Sequence, residues 1–157
     1  AGEKVARPRK NVRKAVACTN KAMKYEIKKL DSDASEIEAQ VARLYKLAGW
    51  IDQSASDFSP TKKALQNSHC AYGAFVGGQL VGFFRAISDK VGDAYLLDMF
   101  VETEFRKAGI GTALCRAVVE NLKRDGIDWI TCISTPEGRR VYEKLAAKMD
   151  AHIPFKF

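Results

Sequence analysis

Apolar and polar positions alternate through "KYEIKKL", which predicts a strand opening a folded unit at Met23. The period then lengthens. In "DSDASEIEAQVARLYKLAGW", Ile37, Val41, Leu44, Tyr45 and Ala48 fall on one face of a helix; Ser35 is placed to cap it, Glu38 stands three residues later, and Gly49 stops it. "SPTKKALQNS" predicts a short helix with Ser59 as cap and Pro60 at its first turn. "CAYGAFVGGQLVGFFRAI" reads as two strands around a Gly77-Gly78-Gln79 turn, and "DAYLLDMFVE" as a third, apolar enough to be central. A helix is expected over 109–124, with Ile110, Ala113, Leu114, Ala117, Val118 and Leu122 on one side. "GIDWITCIST" reads as a buried strand, "PEGRRVYEKLAAKM" as a helix opened by Pro136 and Glu137, and "AHIPFKF" as a last strand. The strand–helix–strand unit at 94–135 implies a parallel, right-handed crossover.

Charge changes the picture at one end. Residues 1–29 hold ten of the 26 Lys/Arg and two of the 19 Asp/Glu, so the rest of the chain is close to neutral. The division expected is a basic extension over 1–22, flexible or helical, and one domain over 23–157. Four cysteines without CxxC spacing and two histidines argue against a zinc site or a disulfide framework. No apolar run reaches the roughly 20 residues that cross a bilayer, and no signal peptide is read at the basic start. The expected location is cytoplasmic, with no metal, no membrane contact and no nucleic-acid partner for the domain.

One stretch calls for chemistry. "EFRKAGIGTAL" puts Gly109 and Gly111 at the start of a helix, where glycine costs stability. A bound anion offsets such a cost, because helix N-termini present free N–H groups and a partial positive charge. Arg106 and Lys107 supply charge, Ala108, Gly109 and Gly111 allow close backbone approach, and Thr112 offers a hydroxyl. The spacing is neither that of a Walker loop nor that of a dinucleotide-binding turn.

This stretch, in "YLLDMFVETEFRKAGIGTAL", resembles motif A of the GCN5-related N-acetyltransferases, Arg/Gln-x-x-Gly-x-Gly/Ala. "GRRVYEKLA" resembles the family's segment on its last helix. "LYKLAGW", "ALQNS" and "LVGFFRAISD" look like a subgroup of bacterial and plastid enzymes related to serotonin (arylalkylamine) acetyltransferases. The resemblance covers about residues 23–150. It implies a mixed α/β fold: a mostly antiparallel central sheet with one parallel strand pair splayed around acetyl-CoA, flanked by helices. It implies direct acetyl transfer to a primary amine, with a small arylalkylamine or polyamine as acceptor; a protein lysine or N-terminus is the alternative. Homodimers occur in this family.

The resemblance also assigns roles. Residues Arg106, Lys107, Ala108, Gly109, Ile110, Gly111 and Thr112 hold the pyrophosphate, and Met99, Phe100 and Val101 pair with the pantetheine arm. Tyr142 matches the general acid. Asp98 is read as base, as orienting group for the ammonium or as acting through water, because the family's more common base position is Leu97 here; the alternative is a structural hydrogen-bonding Asp. Thr135 or Ser134 stands where the family often has an Asn holding pantetheine, and Ala146-Ala147 replaces the usual Gly-Phe. From the residues themselves, Trp50 suits either an aromatic acceptor wall or closure of the first helix onto the core. Asp89 is expected either at the substrate mouth or paired with Arg85. Glu102 is read as a solvated charge and His69 as a surface residue without a partner. A cysteine intermediate is disfavoured: Cys115 is on an apolar helix side and Cys132 in a buried strand, neither near a histidine in sequence. A rival reading is a binding module on the same fold that contacts nucleic acid through the basic extension.

Overall fold

The computed structural model describes residues 23–149 and 151. The expected extension over 1–22 and most of the expected last strand lie outside the described residues. In chain order come β1 (Glu26–Lys29), α1 (Ser35–Leu47), α2 (Ser59–Gln66), β2 (Cys70–Val76), β3 (Gln79–Ser88), β4 (Asp93–Val101), α3 (Ile110–Arg124), β5 (Trp129–Cys132) and α4 (Arg139–Glu143). A single 3-10 turn, Thr103–Phe105, links β4 to the approach to α3.

The strands form one sheet in the order β1-β2-β3-β4-β5. The first three pairings are antiparallel and β4–β5 is parallel. This is the mixed α/β sheet with one parallel pair that the sequence led us to expect. β2 and β3 join through Gly77-Gly78, both at positive φ (+57° and +85°), the conformation a two-residue hairpin demands.

Each sheet face is closed by its own helices. Val41, Leu44 and Tyr45 of α1 and Leu65 of α2 pack on Ala71, Leu80 and Phe83. On the other face Ile110, Leu114, Cys115, Val118 and Leu122 of α3 pack on Ala74, Val81, Phe84, Ala86, Ala94 and Leu96. α1 is fixed across the strands by polar contacts as well. Gln40 accepts from the Leu80 N–H (2.8 Å), and Arg43 pairs with Glu102 (2.7 Å), whose side chain is 15% exposed. Glu102 is therefore a tied strand-end group and not the solvated charge expected.

Gly82 lets α3 lie close to the sheet. A Cβ there would meet Ile110 Cγ2 and Leu114 Cδ1 at 3.2 Å and Val101 Cγ2 at 3.3 Å. Gly82→Val is expected to lower unfolding free energy by about 1–3 kcal/mol through overpacking. The check is the urea midpoint, with the m-value unchanged.

Local expectations needed several corrections. α1 is capped by Ala34 and α2 by Phe58, neither with a side-chain capping bond; Ser35 and Ser59 are the first helical residues. α3 starts at Ile110, with Gly109 as its N-cap. α4 is five residues long instead of spanning 136–149, and Pro136 lies in the turn before it. β5 is short and partly open, with Trp129 54% exposed, because only β4 flanks it among the described residues. His69 is not a lone surface residue: its side chain is 11% exposed, Nδ1 meets Ser88 Oγ at 2.6 Å and Nε2 meets Asp125 at 3.0 Å. Asp125 also accepts from buried Asn121, which takes the Tyr72 hydroxyl at 3.0 Å. This chain of bonds ties the start of β2, the end of β3 and the end of α3.

Candidate active site

The site forms where β4 loses a neighbour. β5 pairs with it only from Asp93↔Trp129 to Leu96↔Cys132. From Leu97 to Val101 the β5-side edge of β4 has no strand partner among the described residues. Half the backbone groups of such an edge are free to bond an extended ligand laid beside it. Met99, Phe100 and Val101, expected to meet the donor arm, lie on this edge.

The edge runs straight into the glycine loop. Gly109 holds φ +86° as N-cap of α3, and Lys107 holds φ +64°. Ala113 makes the first bond of the helix, to the Gly109 carbonyl. Among the described residues no acceptor takes the amides of Lys107, Ala108, Gly109, Ile110, Gly111 or Thr112. Six successive amides without an acceptor among the described residues, at a helix head, make a positive, anion-sized cradle. A Cβ on Gly111 would touch Val141 and Met99 at 3.6 and 3.7 Å, so this glycine packs α3 onto α4 and β4. Arg106 folds back over the strand: its Nε donates to the Val101 carbonyl (2.8 Å) and its guanidinium covers the Phe100 ring at 5.7 Å.

Tyr142 reaches the cleft from α4, its ring 6.5 Å from that of Phe84. Its hydroxyl lies beside the Cys132 thiol at the end of β5. Burial, then the neighbouring Cys132 and Cys115, push its pKa well above the ordinary tyrosine value. The group is a neutral O–H donor throughout the neutral range. Burial likewise raises the thiols, Cys115 to about 12 and Cys70 to about 11, and raises Cys132. None of these three is a thiolate at neutral pH. Cys132 is half-buried, more open than the sequence led us to expect. Thr135 organises the approach to α4: its carbonyl accepts from Gly138 and Arg139 (both 3.1 Å) and its hydroxyl accepts from Gly138 (3.2 Å).

On the α1 side the structure assembles a group that sequence spacing did not reveal. Asp98 Oδ2 accepts from the Tyr45 hydroxyl (2.7 Å) and from Arg85 Nε (2.6 Å). Burial first, and then Asp98, raises the Tyr45 pKa. Arg85 thus pairs with Asp98 and not with Asp89. Trp50, 45% exposed, meets Tyr45 edge-on at 5.2 Å and Phe100 at 6.1 Å. Asp89 Oδ1 accepts three turn amides, those of Val91, Gly92 and Asp93 (2.8–3.0 Å), and these hold its carboxyl below the usual range. Asp89 also lines an open groove of about 380 Å³ with Ile87, Asp93, Tyr95, Trp129 and Thr131.

The raised groups predict an alkaline loss of stability. Unfolded thiols release protons near pH 8.5 and unfolded tyrosines near pH 10. The folded chain retains them to higher pH, so the unfolded state binds fewer protons and unfolding free energy falls as pH rises. Urea midpoints are expected to hold up to about pH 8 and to decline from there to pH 11.

A β4 edge left open where its parallel pairing with β5 ends, continued by an amide-lined helix head and with a protonated tyrosine on α4, suits acyl transfer. The chain belongs to the GNAT acetyltransferases: residues 31–146 match the family described as acetyltransferase (GNAT) domain. It is an N-acetyltransferase by class. The uncharacterized N-acetyltransferase ycf52 of Pyropia yezoensis is 26% identical over 142 residues, 87% of this chain and 80% of that protein. A GNAT acetyltransferase structure from Xanthomonas campestris pv. campestris superposes with TM-score 0.64 at 24% identity, covering 82% of this chain and 87% of that one. The ribosomal-protein-alanine N-acetyltransferase of Brucella melitensis gives TM-score 0.65 at 21% identity, covering 85% and 99%. These two likenesses are of fold. GNAT enzymes take their acetyl group from acetyl-CoA, and the free amides and open β4 edge fit its pyrophosphate and its amide-bearing arm. No helix among the described residues is long and apolar enough to cross a membrane.

Proposed function

We propose that the chain transfers acetyl from acetyl-CoA to a small primary amine by direct attack. The observation carrying this reading is the run of six amides, without an acceptor among the described residues, that continues the open edge of β4. Arg106 through Thr112 would bind pyrophosphate, mainly through the backbone. Met99, Phe100 and Val101 would receive the arm, and Thr135 would border it through the turn it shapes. Tyr142 would give its proton to the departing thiolate. The acceptor's ammonium must first lose a proton. With Tyr45 and Arg85 on Asp98, that proton is assigned to water and Asp98 is kept out of the chemical step.

The acceptor face supports a small amine, arylalkylamine or polyamine. Trp50 and Phe100 offer rings for an apolar part. Asp89 and Asp93 line a separate groove at the other end of β4, where β5 is still paired, and Asp89 there holds the turn amides, so the acceptor reading rests on the Trp50–Phe100 face.

The test is the thermal midpoint with acetyl-CoA, CoA and ATP, followed by turnover with arylalkylamines, polyamines and lysine peptides. A ligand specific for the native state stabilises by about 2.7 kcal/mol at a hundredfold excess over its Kd. A shift with acetyl-CoA and CoA that exceeds that with ATP is expected. No shift with any of them would refute the cradle, and turnover of peptides alone would overturn the small-amine acceptor.

A further inference from the structure

We propose that Arg85 and Tyr45 are positioning residues for the donor: through Asp98 they clamp the bulge in β4 and so set the course of the Met99–Val101 edge. This rests on the donor-cleft reading above. β3 and β4 pair at Phe83↔Phe100 and again at Arg85↔Leu97. Between these pairs β3 offers one residue, Phe84, whereas β4 offers two, Asp98 and Met99. The extra residue is Asp98, at φ +59°. Left-handed backbone at a residue with a side chain persists only where its surroundings impose it, and bulges of this kind bend a strand and redirect its onward course.

The surroundings here are specific. Asp98 Oδ2 takes one bond from α1, through Tyr45, and one from β3, through Arg85. Arg85 is anchored in turn: Nη1 donates to the Ala64 carbonyl and to Ser68 Oγ, both at 3.3 Å, at the end of α2. Tyr45 is held by Trp50 at 5.2 Å and Phe83 at 5.8 Å. Side chains of Arg85 and Asp98 are 12% and 26% exposed, so water competes little for the pair. The bulge also falls two residues beyond Leu96↔Cys132, the last parallel pair. The strand is therefore bent where its β5-side edge becomes available to a ligand. On this account the carboxylate anchors backbone; it does not accept the acceptor's proton.

The experiment compares two ligands by titration calorimetry on the full chain. Acetyl-CoA needs both the cradle and the edge. 3′-Phosphoadenosine 5′-diphosphate carries the pyrophosphate without the arm, and reports the cradle alone. Arg85→Met is expected to weaken acetyl-CoA at least tenfold and to leave the diphosphate within twofold. Adding Asp98→Gly, which adopts positive φ without a clamp, is expected to restore acetyl-CoA affinity to within threefold of the parent. Tyr45→Phe removes only a hydroxyl and serves if Arg85→Met does not fold; a weakening of threefold or more for acetyl-CoA alone is expected. Unchanged acetyl-CoA affinity in Arg85→Met, equal loss of both ligands, or a double variant that stays weak would each overturn the proposal. A parent chain that binds neither ligand fails at the donor-cleft reading itself and takes the proposal with it.

Discussion

Gly109→Glu is expected to abolish the stabilisation that acetyl-CoA gives the native chain while leaving a folded protein. Two costs separate at this position. The first is conformational: φ is +86°, and an L-residue there costs roughly 1–2 kcal/mol. The second is specific to an anionic ligand. A side chain at 109 leaves the backbone amid the unpaired amides of 107–112, and a carboxylate on it supplies an internal anion to the donors that would hold pyrophosphate. Crowding by the protein itself is small, since the nearest atom to a Cβ at Gly109 is Tyr25 Oη at 3.5 Å. Gly109→Ala is the matching control: it bears the first cost and not the second. The alanine variant is expected to melt lower than the parent yet keep acetyl-CoA affinity within about tenfold, on the order of 1.4 kcal/mol. The glutamate variant is expected to lose at least about a hundredfold, on the order of 2.7 kcal/mol. Titration calorimetry on both, with circular dichroism to establish folding, decides the matter. Parent-like affinity in a folded Gly109→Glu would make the loop a packing turn.

The range of the interactions explains why the loop was legible in sequence and the acceptor side was not. A helix head needing a left-handed cap and small residues writes itself into consecutive positions, and "RKAGIG" carries the whole requirement within six residues. The faces of α1 and α3 were equally local, since periodicity is a property of one element. Asp98 is different. Its partners lie 53 and 13 residues away, and no spacing rule brings Tyr45 or Arg85 to it. Sequence placed Tyr45 on a core face, which is correct for its ring and silent about its hydroxyl. The same reasoning explains His69, whose partner Asp125 is 56 residues distant. Capping failed for another reason. Ser35 and Ser59 each sit one position inside the helix they were expected to cap, and a shift of one residue removes the side chain from the N–H groups it would satisfy. β5 misled because an apolar run reads as buried whether or not a second neighbour is present to bury it.

The hydroxyl of Tyr142 is where a small change tests the largest chemical claim. Tyr142→Phe keeps the ring against Phe84 and deletes one donor beside Cys132. Folding and acetyl-CoA affinity are expected to stay near those of the parent, because the cradle and the β4 edge are untouched. The rate of acetyl transfer is expected to fall by about 10- to 100-fold, or roughly 1.4–2.7 kcal/mol of barrier. A loss at or below the bottom of the usual range for acid catalysis, about 100-fold, is appropriate, since a thiolate leaves without much help. Burial supplies the pH argument: with its pKa raised, Tyr142 remains protonated past pH 10, so the transfer rate of the parent should show no alkaline loss attributable to this group below that pH. Single-turnover measurements with acetyl-CoA preloaded isolate the transfer step from product release. A fall in that step with unchanged donor affinity places the hydroxyl in the transition state. An unchanged step removes Tyr142 as the acid and leaves solvent to protonate the thiolate.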